Sequence, residues 1–212
     1  MPNLAALIDR LAASLRDAAH AEWSEAELTA HLRRALAEVS QAAPRRLEAV
    51  LPTVAGERTV SIAGLAGLLT VTDVLYPHDP AAPAGAPERP AWRLSPEGAL
   101  TLLVDEPPRG DGSDDVALRY LARHTIDGLD GATESTLSPA AEEVLLAGAA
   151  GYAVEQAALA LVGAVTVGDA AARYAAWAAE RLAAYRQALA ELAAADALRA
   201  PEDARVVWAG RV

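Results

Sequence analysis

The chain has 212 residues, enough to bury a sizeable core as one domain or as one domain with a large insertion. It contains no cysteine, which excludes disulfides, thiolate metal sites and cysteine nucleophiles. The formal net charge of −11 argues against a free-standing nucleic-acid binder, since such a protein needs a basic face for the phosphates. The same charge permits DNA to pass without sticking, although ordinary acidic proteins share it.

The sequence predicts N-terminal helices over residues 1–56. Leucines and an isoleucine recur at helical spacing from Leu4 to Leu15 and form one apolar stripe. A second helix begins at the string "WSEAEL", where Ser24 can cap the helix and Glu27 can reach back to the cap amide. This helix should end before Pro44, because the residue preceding a proline is disfavoured in helical conformation.

An inserted antiparallel β-sheet is predicted over residues 57–122. The strings "TVSI", "LLTVTDVLY", "ALTLLV" and "VALRYLA" alternate or are rich in β-branched residues, and turn signals lie between them. The string "SPEG", Ser95 to Gly98, is turn chemistry that fits a hairpin between Trp92–Leu94 and Leu100–Val104.

Two loops interrupt this sheet. The stretch Pro77–Ala91 holds five prolines, so we expect an extended excursion that is neither helix nor central strand. The stretch Asp105–Asp115 is rich in acids, and the favoured interpretation is a solvated hairpin tip. The alternative is an acidic projection that faces something negative, with these candidate residues: Asp105, Glu106, Asp111, Asp114 and Asp115.

Long helices are predicted over residues 123–200, completing a helical bundle. Ser138 and Pro139 form a cap and first-turn pair. Gly148 and Gly151 lie inside the first of these helices, where each glycine costs about 1 kcal/mol against alanine. We therefore expect a close approach there, either by another helix of the same chain or by a neighbouring subunit. The chain is thus α+β and mainly α, a helical bundle with a small inserted antiparallel β-sheet.

One apolar stretch raises the question of a membrane. Leu145 to Val167 is long enough to span a bilayer, but it is built from alanine and glycine and carries Glu155 and Gln156 near its middle. A central carboxylate costs roughly 2.5–3.5 kcal/mol on insertion scales, so we expect a buried helix and no membrane.

No catalytic, cofactor or metal site is predicted. The four histidines have no metal-ligand spacing, and the phosphate-loop, dinucleotide-loop and nucleophile-elbow patterns do not occur. His20 and His31 are expected on helix surfaces. His124 follows a strand and is the one histidine worth inspecting, with a hydrogen-bonded structural role expected. An enzyme therefore has no positive support, and none is predicted.

The order of segments resembles the head–tail connector, or adaptor, proteins of long-tailed double-stranded DNA phages and prophages. Four stretches carry the resemblance, which covers most of the chain as loose patterns of residue class. They are "WSEAELTAHLRRALAEVSQAAP"; "VTDVLYP" with "WRLSPEGALTLL" and "LRYLARHTIDGLDGATESTLSPAAEEVLLAGAAGYA"; "AARYAAWAAERLAAYRQAL"; and "RVVWAG". The proline-rich and acidic loops are longer than the pattern, so the resemblance assigns them no exact role.

The resemblance implies a non-enzymatic virion protein of the neck, assembled in the bacterial host cytoplasm. Such proteins form a ring, commonly twelve-membered, beneath the portal; the ring extends the DNA channel and meets the next neck or tail protein. DNA would pass without sequence-specific binding. Residues 201–212 would be a tail that docks on the portal through Arg205, Val206, Val207, Trp208 and Arg211. Tryptophan and arginine often dominate interface energetics.

Three alternatives stay open. The chain could be another neck or tail-completion protein, or an unrelated cellular ligand-binding protein or enzyme with an unrecognised site. A deep pocket with polar groups converging on His124 would favour the cellular ligand-binding protein or enzyme. The tail has its own alternative, in which Trp208 packs on the helices of its own chain instead of on a partner.

Overall fold

The computed structural model of the chain describes residues 2–79, 88–162 and 169–199. The chain divides into two compact units. The helical unit comprises the described residues up to Ala43 and those from His124 onward, and the β unit comprises the described part of Pro44–Arg123. This organisation confirms the predicted class, α+β and mainly α, with the β-structure inserted into a helical bundle.

Four helices form the described part of the helical unit. They are α1 (Leu4–Ser14), α2 (Glu25–Ala42), α3 (Pro139–Val162) and α4 (Ala170–Arg199). Their shared core is built mainly from leucines at helical spacing, as the apolar stripes predicted, and it includes two buried tyrosines. Its largest fully buried members include Leu7, Leu11, Leu28, Leu32, Leu145 and Tyr185.

The start of α2 is fixed by the predicted capping box. The Ser24 hydroxyl oxygen accepts from the Glu27 backbone N–H at 3.3 Å, and a Glu27 carboxylate oxygen accepts from the Ser24 N–H at 2.9 Å. The hydrogen bond from the Ser24 hydroxyl lowers the pKa of Glu27. These reciprocal bonds satisfy two donors that the first helical turn would otherwise leave unpaired.

The turn before α2 is organised by one carboxylate. Asp17 accepts hydrogen bonds from the backbone N–H groups of Ala21, Glu22 and Trp23 at 2.8–2.9 Å. The bond from Trp23 is the largest cause of the lowered pKa of Asp17. Trp23 itself is buried, and its indole N–H donates to the Ala153 carbonyl at 3.2 Å, which joins this turn to α3.

Among the described residues of the β unit, two three-stranded antiparallel sheets are present. The first has the order β1–β6–β3 and the second β2–β5–β4. Their inward side chains, among them Val71, Leu102 and Leu118, share one core. The strands are β1 (Arg45–Leu51), β2 (Thr59–Ser61), β3 (Leu68–His78), β4 (Ala91–Ser95), β5 (Ala99–Leu103) and β6 (Asp115–Ala122).

The hairpin predicted around "SPEG" is confirmed. Strand β4 pairs with β5 from Ala91↔Leu103 to Ser95↔Ala99. The turn closes with Gly98 at φ +77°, a left-handed conformation that glycine adopts without the strain of a side chain.

The β unit begins earlier than the predicted boundary at residue 57. Strand β1 lies inside the range 1–56, which the sequence assigned to helices, and it pairs with β6 from Arg45↔Ala122 to Leu51↔Val116. The string "RRLEAVL" carries only a weak alternation of apolar residues. Its strand conformation is decided by partner β6, whose inward residues are all buried.

The proline-rich stretch also begins later than expected. Pro77 and His78 still belong to β3, an edge strand of its sheet, and Pro77 lies where the pairing with β6 shifts register between Leu75 and His78, an irregularity at which a proline is tolerated. Ala91 already belongs to β4. Most of the predicted excursion, residues 80–87, lies outside the described residues.

Candidate functional site

The acidic loop of residues 104–114 connects β5 to β6, so it crosses from one sheet to the other and is not a hairpin tip. Asp114 is 7% exposed, and the expectation that it is solvated is wrong. Its carboxylate accepts from the Thr53 hydroxyl at 3.0 Å and from the backbone N–H groups of Arg109 and Gly110. A buried carboxylate requires such partners, and here they fold the loop around it.

Two further contacts fix this loop to the segment before β2. The Arg58 guanidinium donates to the carbonyls of Val104 and Asp105 at 2.9 and 2.7 Å. Gly110 packs so tightly that a Cβ there would overlap the backbone nitrogen of Ala55. The loop is therefore held at both ends and in its middle.

The remaining candidate acids differ in their exposure. Asp105, Glu106 and Asp111 are exposed, whereas Asp115 is half-buried and accepts from the Thr53 N–H at 3.3 Å. Asp111 accepts from the Ser113 hydroxyl at 2.6 Å, and this bond is the main cause of its lowered pKa. Three carboxylates thus project from a fixed loop, and two support it from beneath.

A cleft of about 550 Å³ lies beside the loop in the β unit. Its lining combines Arg109 and Tyr76 with four acids, Glu88, Asp105, Glu106 and Asp114. Burial, followed by the Asp114 charge, raises the pKa of Tyr76. Because the Asp114 oxygens are occupied by loop contacts, this set offers no free buried carboxylate for general acid–base chemistry.

His124 is the hydrogen-bonded structural histidine that the sequence predicted. Its Nε2 lies 2.8 Å from the Ala43 carbonyl, and its Nδ1 lies 3.1 Å from the hydroxyl and the carbonyl of Thr136. Its backbone N–H donates to the Ser40 hydroxyl at 3.0 Å. The ring joins the end of α2 to the chain before α3. The cleft described above is lined by other residues, so it does not favour the alternative of an enzyme built on His124.

The close approach expected at the two glycines of α3 is made by α4 of the same chain. A Cβ at Gly148 would lie 2.6 Å from Cε2 of Tyr185, and one at Gly151 would lie 2.7 Å from Cδ2 of Leu182. The two helices therefore pack closely at these positions. A role for the glycines in subunit packing stays a prediction.

A polar cluster that sequence reasoning missed lies between α2, α3 and α4. The Tyr152 hydroxyl donates to Glu38 at 2.6 Å, and the Arg34 guanidinium lies 3.6 Å from the centre of the Tyr152 ring. The Tyr185 ring meets Tyr152 edge to face at 6.0 Å. Burial and then Glu38 raise the pKa of Tyr152 to about 12. The signal in the sequence that could have indicated this cluster was the single tyrosine, Tyr152, inside an alanine-rich helix.

The apolar stretch of α3 has the burial of a core helix. Pro139–Leu161 is long and apolar enough to cross a membrane, yet 61% of its most apolar window is buried in the protein. Two polar residues in its C-terminal half have protein partners: Gln156 donates to Glu27 at 2.8 Å, and Glu155 pairs with Arg34 at 3.7 Å. His31, expected on a helix surface, is instead 8% exposed, and burial lowers its pKa.

Among residues 2–79, 88–162 and 169–199, no group of three or more histidines, aspartates or glutamates could hold a metal ion. The candidate docking residues Arg205, Val206, Val207, Trp208 and Arg211 lie outside the described residues. Their role stays a prediction.

Comparison with known proteins identifies one family. The family model described as SU10 adaptor protein matches residues 2–207, nearly the whole chain. No curated protein matches.

Among solved structures, one match is a chain in the neck of an empty gene transfer agent particle, computed with C6 symmetry. It is 19% identical to this chain, with a TM-score of 0.32, and the match covers 68% of this chain and 76% of that chain. A chain from the virion of a native gene transfer agent particle is 18% identical, with a TM-score of 0.32 and coverages of 82% and 86%. A third, from the neck of a native particle computed with C12 symmetry, is 23% identical, with a TM-score of 0.29 and coverages of 66% and 74%.

Proposed function

We propose a ring-forming role for this chain, which belongs to the SU10 adaptor protein family and is a structural head–tail adaptor. Copies of the chain close into a ring beneath the portal, extend the DNA channel and join the head to the next neck or tail protein. The single observation that carries this proposal is the family match over residues 2–207. The protein works by contact, catalyses no reaction, is assembled in the bacterial host cytoplasm and resides in the virion neck.

The acidic loop of the β unit supports a role at the DNA channel. Asp105, Glu106 and Asp111 project from a loop that Asp114 and Arg58 hold in one conformation. Carboxylates fixed along a channel wall repel phosphates, so DNA moves past without being held. A mobile acidic loop could bend away from the DNA or toward a basic surface, whereas a fixed one keeps its charges in the channel.

The tail supports attachment to the portal. Residues 205–211 combine two valines and a tryptophan with an arginine on either side. A segment of this kind can order on binding, with the tryptophan as the buried anchor. We propose Arg205, Val206, Val207, Trp208 and Arg211 as the contact residues.

The test is capture of the protein by its portal, with Trp208→Ala compared with Ala209→Ser in the same tail. Wild type and Ala209→Ser should bind the immobilised portal, and Trp208→Ala should weaken binding at least tenfold while its far-UV circular dichroism stays that of the wild type. Equal binding of Trp208→Ala would refute the docking role. A melting temperature far below that of the wild type would instead assign Trp208 to the fold.

A further inference from the structure

Strand β1 forms one edge of the β1–β6–β3 sheet, and no described strand pairs with its outer side. It pairs with β6 over seven consecutive residues without a register shift. The opposite edge strand, β3, is irregular, since its pairing with β6 shifts register three times and Tyr76 also pairs with Glu88. A regular strand edge presents backbone N–H and C=O groups with which another strand can pair. Strand β1 is the longest regular edge among the described strands of the β unit.

The core of the β unit is incompletely covered along β1. On β6, the inward residues at alternate positions from Val116 to Ala122 are each no more than 7% exposed. On β1, the inward residues Leu47, Ala49 and Leu51 pack on the same core but are only half-buried. A strand added beside β1 would remove more of this apolar surface from water, which is favourable by about 25 cal/mol per Å².

The solvent-facing side of β1 carries charges of both signs. Arg46 and Glu48 are both exposed and alternate along the strand. Glu48 pairs with Arg119 of β6 at 2.6 Å, and Arg119 lies 4.0 Å from Asp73 of β3. The charges along this row of the sheet are therefore negative, positive and negative. The Glu48 side chain stays 72% exposed, so a positive charge beyond the edge of the sheet can reach it.

A second copy of β1 supplies that positive charge. Two copies related by a two-fold axis pair the same strand antiparallel, and the residue at the axis faces its own counterpart. Of the possible centres, only Leu47 places Arg46 of each copy opposite Glu48 of the other. A pairing centred on Arg46 or on Glu48 places like charges opposite each other, which is destabilising. Charge complementarity therefore selects one register.

We propose that two free copies of the chain pair through β1, antiparallel and centred on Leu47, and that their three-stranded sheets join into one sheet of six strands. Each Glu48 then lies between Arg119 and Arg46 of the partner subunit. Arg46 also has an interaction within its own chain, and the five N–H donors of a guanidinium allow both. Although the net charge of −11 makes copies repel elsewhere, β1 carries two arginines and one glutamate.

This pairing goes beyond the proposed function and does not depend on it. It uses the same surface on both copies, so it closes as a dimer and does not build a ring. Its role is to cover a strand edge at which unassembled copies would otherwise aggregate. Two strands of seven residues make a small interface, so the pairing is weak and reversible.

The test is sedimentation velocity of the full-length protein from micromolar to millimolar concentration. The wild type should shift from monomer to dimer. Arg46→Glu and Glu48→Arg each place like charges opposite each other and should weaken association at least tenfold. An equimolar mixture of these two variants should recover wild-type association, because the mixed pair has opposite charges at both positions. Glu180→Arg, at an exposed residue of α4, makes the same charge change as Glu48→Arg and should associate like the wild type.

A wild type that stays monomeric over this range would overturn the inference, as would single variants that associate like the wild type. A mixture that fails to recover association would overturn the pairing centred on Leu47. If a variant loses the far-UV circular dichroism of the wild type, hydrogen exchange of the wild type decides: the amides of residues 45–51 should exchange more slowly as protein concentration rises, and unchanged exchange would overturn the pairing. None of these outcomes involves the portal, so each leaves the proposed function intact.

Discussion

Replacing Gly148 by alanine tests the packing of α3 on α4. In an exposed helix the change should stabilise by about 1 kcal/mol, because alanine is the better helix former. Here the new Cβ would lie 2.6, 2.7 and 3.0 Å from three atoms of the Tyr185 ring. Ordinary carbon–carbon contacts are about 3.5–4.0 Å, so the ring or the helix must move by about 1 Å.

The Tyr185 ring has little freedom to make that movement. It is 1% exposed and lies edge to face against Tyr152, so displacing it also disturbs the polar cluster. Overpacking a core typically costs about 1–3 kcal/mol, and a rigid ring belongs in the upper half of that range. Subtracting the gain in helix propensity leaves a net destabilisation of about 1–2 kcal/mol.

Gly151→Ala is the matched control on the same helix. Its Cβ would meet Cδ2 and Cγ of Leu182 at 2.7 and 3.1 Å, but a leucine side chain can change its rotamer where an aromatic ring cannot. We expect its unfolding midpoint in urea, followed by circular dichroism at 222 nm, within about 0.5 kcal/mol of the wild type. A Gly148→Ala protein that is as stable as the wild type, or more so, would refute the close packing of Tyr185 on α3.

Three further predictions concern single side chains. Tyr152→Phe should destabilise the helical unit by about 1 kcal/mol, because it removes the hydrogen bond to Glu38. It should also remove a phenol that titrates near pH 12 from the ultraviolet absorbance curve, and an unchanged curve would contradict the raised pKa of Tyr152. The lowered pKa of Asp17 means that its stabilising contribution is complete above the unfolded pKa, near 3.9, and is lost as the pH falls through the folded value. The melting temperatures of wild type and Asp17→Asn should therefore converge below about pH 4, and a constant gap down to pH 2 would exclude this linkage. Asp114→Ala should lower the free energy of unfolding by about 2 kcal/mol, because it leaves the loop amides and the Thr53 hydroxyl without their acceptor. Asp111→Ala in the same loop should change that free energy little, and equal effects of the two variants would mean that Asp114 does not anchor the loop.

The elements that sequence could predict are those with a local signal. The capping box at Ser24, the hairpin around Gly98 and the stop before Pro44 each depend on neighbouring residues, and all three are present. Strand β1 lacked such a signal, because its conformation depends on pairing with β6, about seventy residues away. Residue propensities within a short window contain no information about a pairing strand so far away in the sequence.

The same distinction applies to the acidic loop. Composition predicted that it would be charged, but not which acid would be buried. Asp114 and Asp115 are neighbours of identical chemistry, and only the position of Thr53 and of the loop amides distinguishes their roles. The contacts of Tyr152 with Glu38 and Arg34 likewise join separate helices, so the sequence alone could not specify them.

The central claim is that this chain acts by closing into a ring around the DNA path. Electron microscopy of the portal mixed with this protein tests it directly, because the proposed function places the ring beneath the portal. We predict class averages with a closed ring of added density, coaxial with the portal channel. Portal particles without added density at saturating protein, or with the protein bound as isolated copies that never close, would contradict the account.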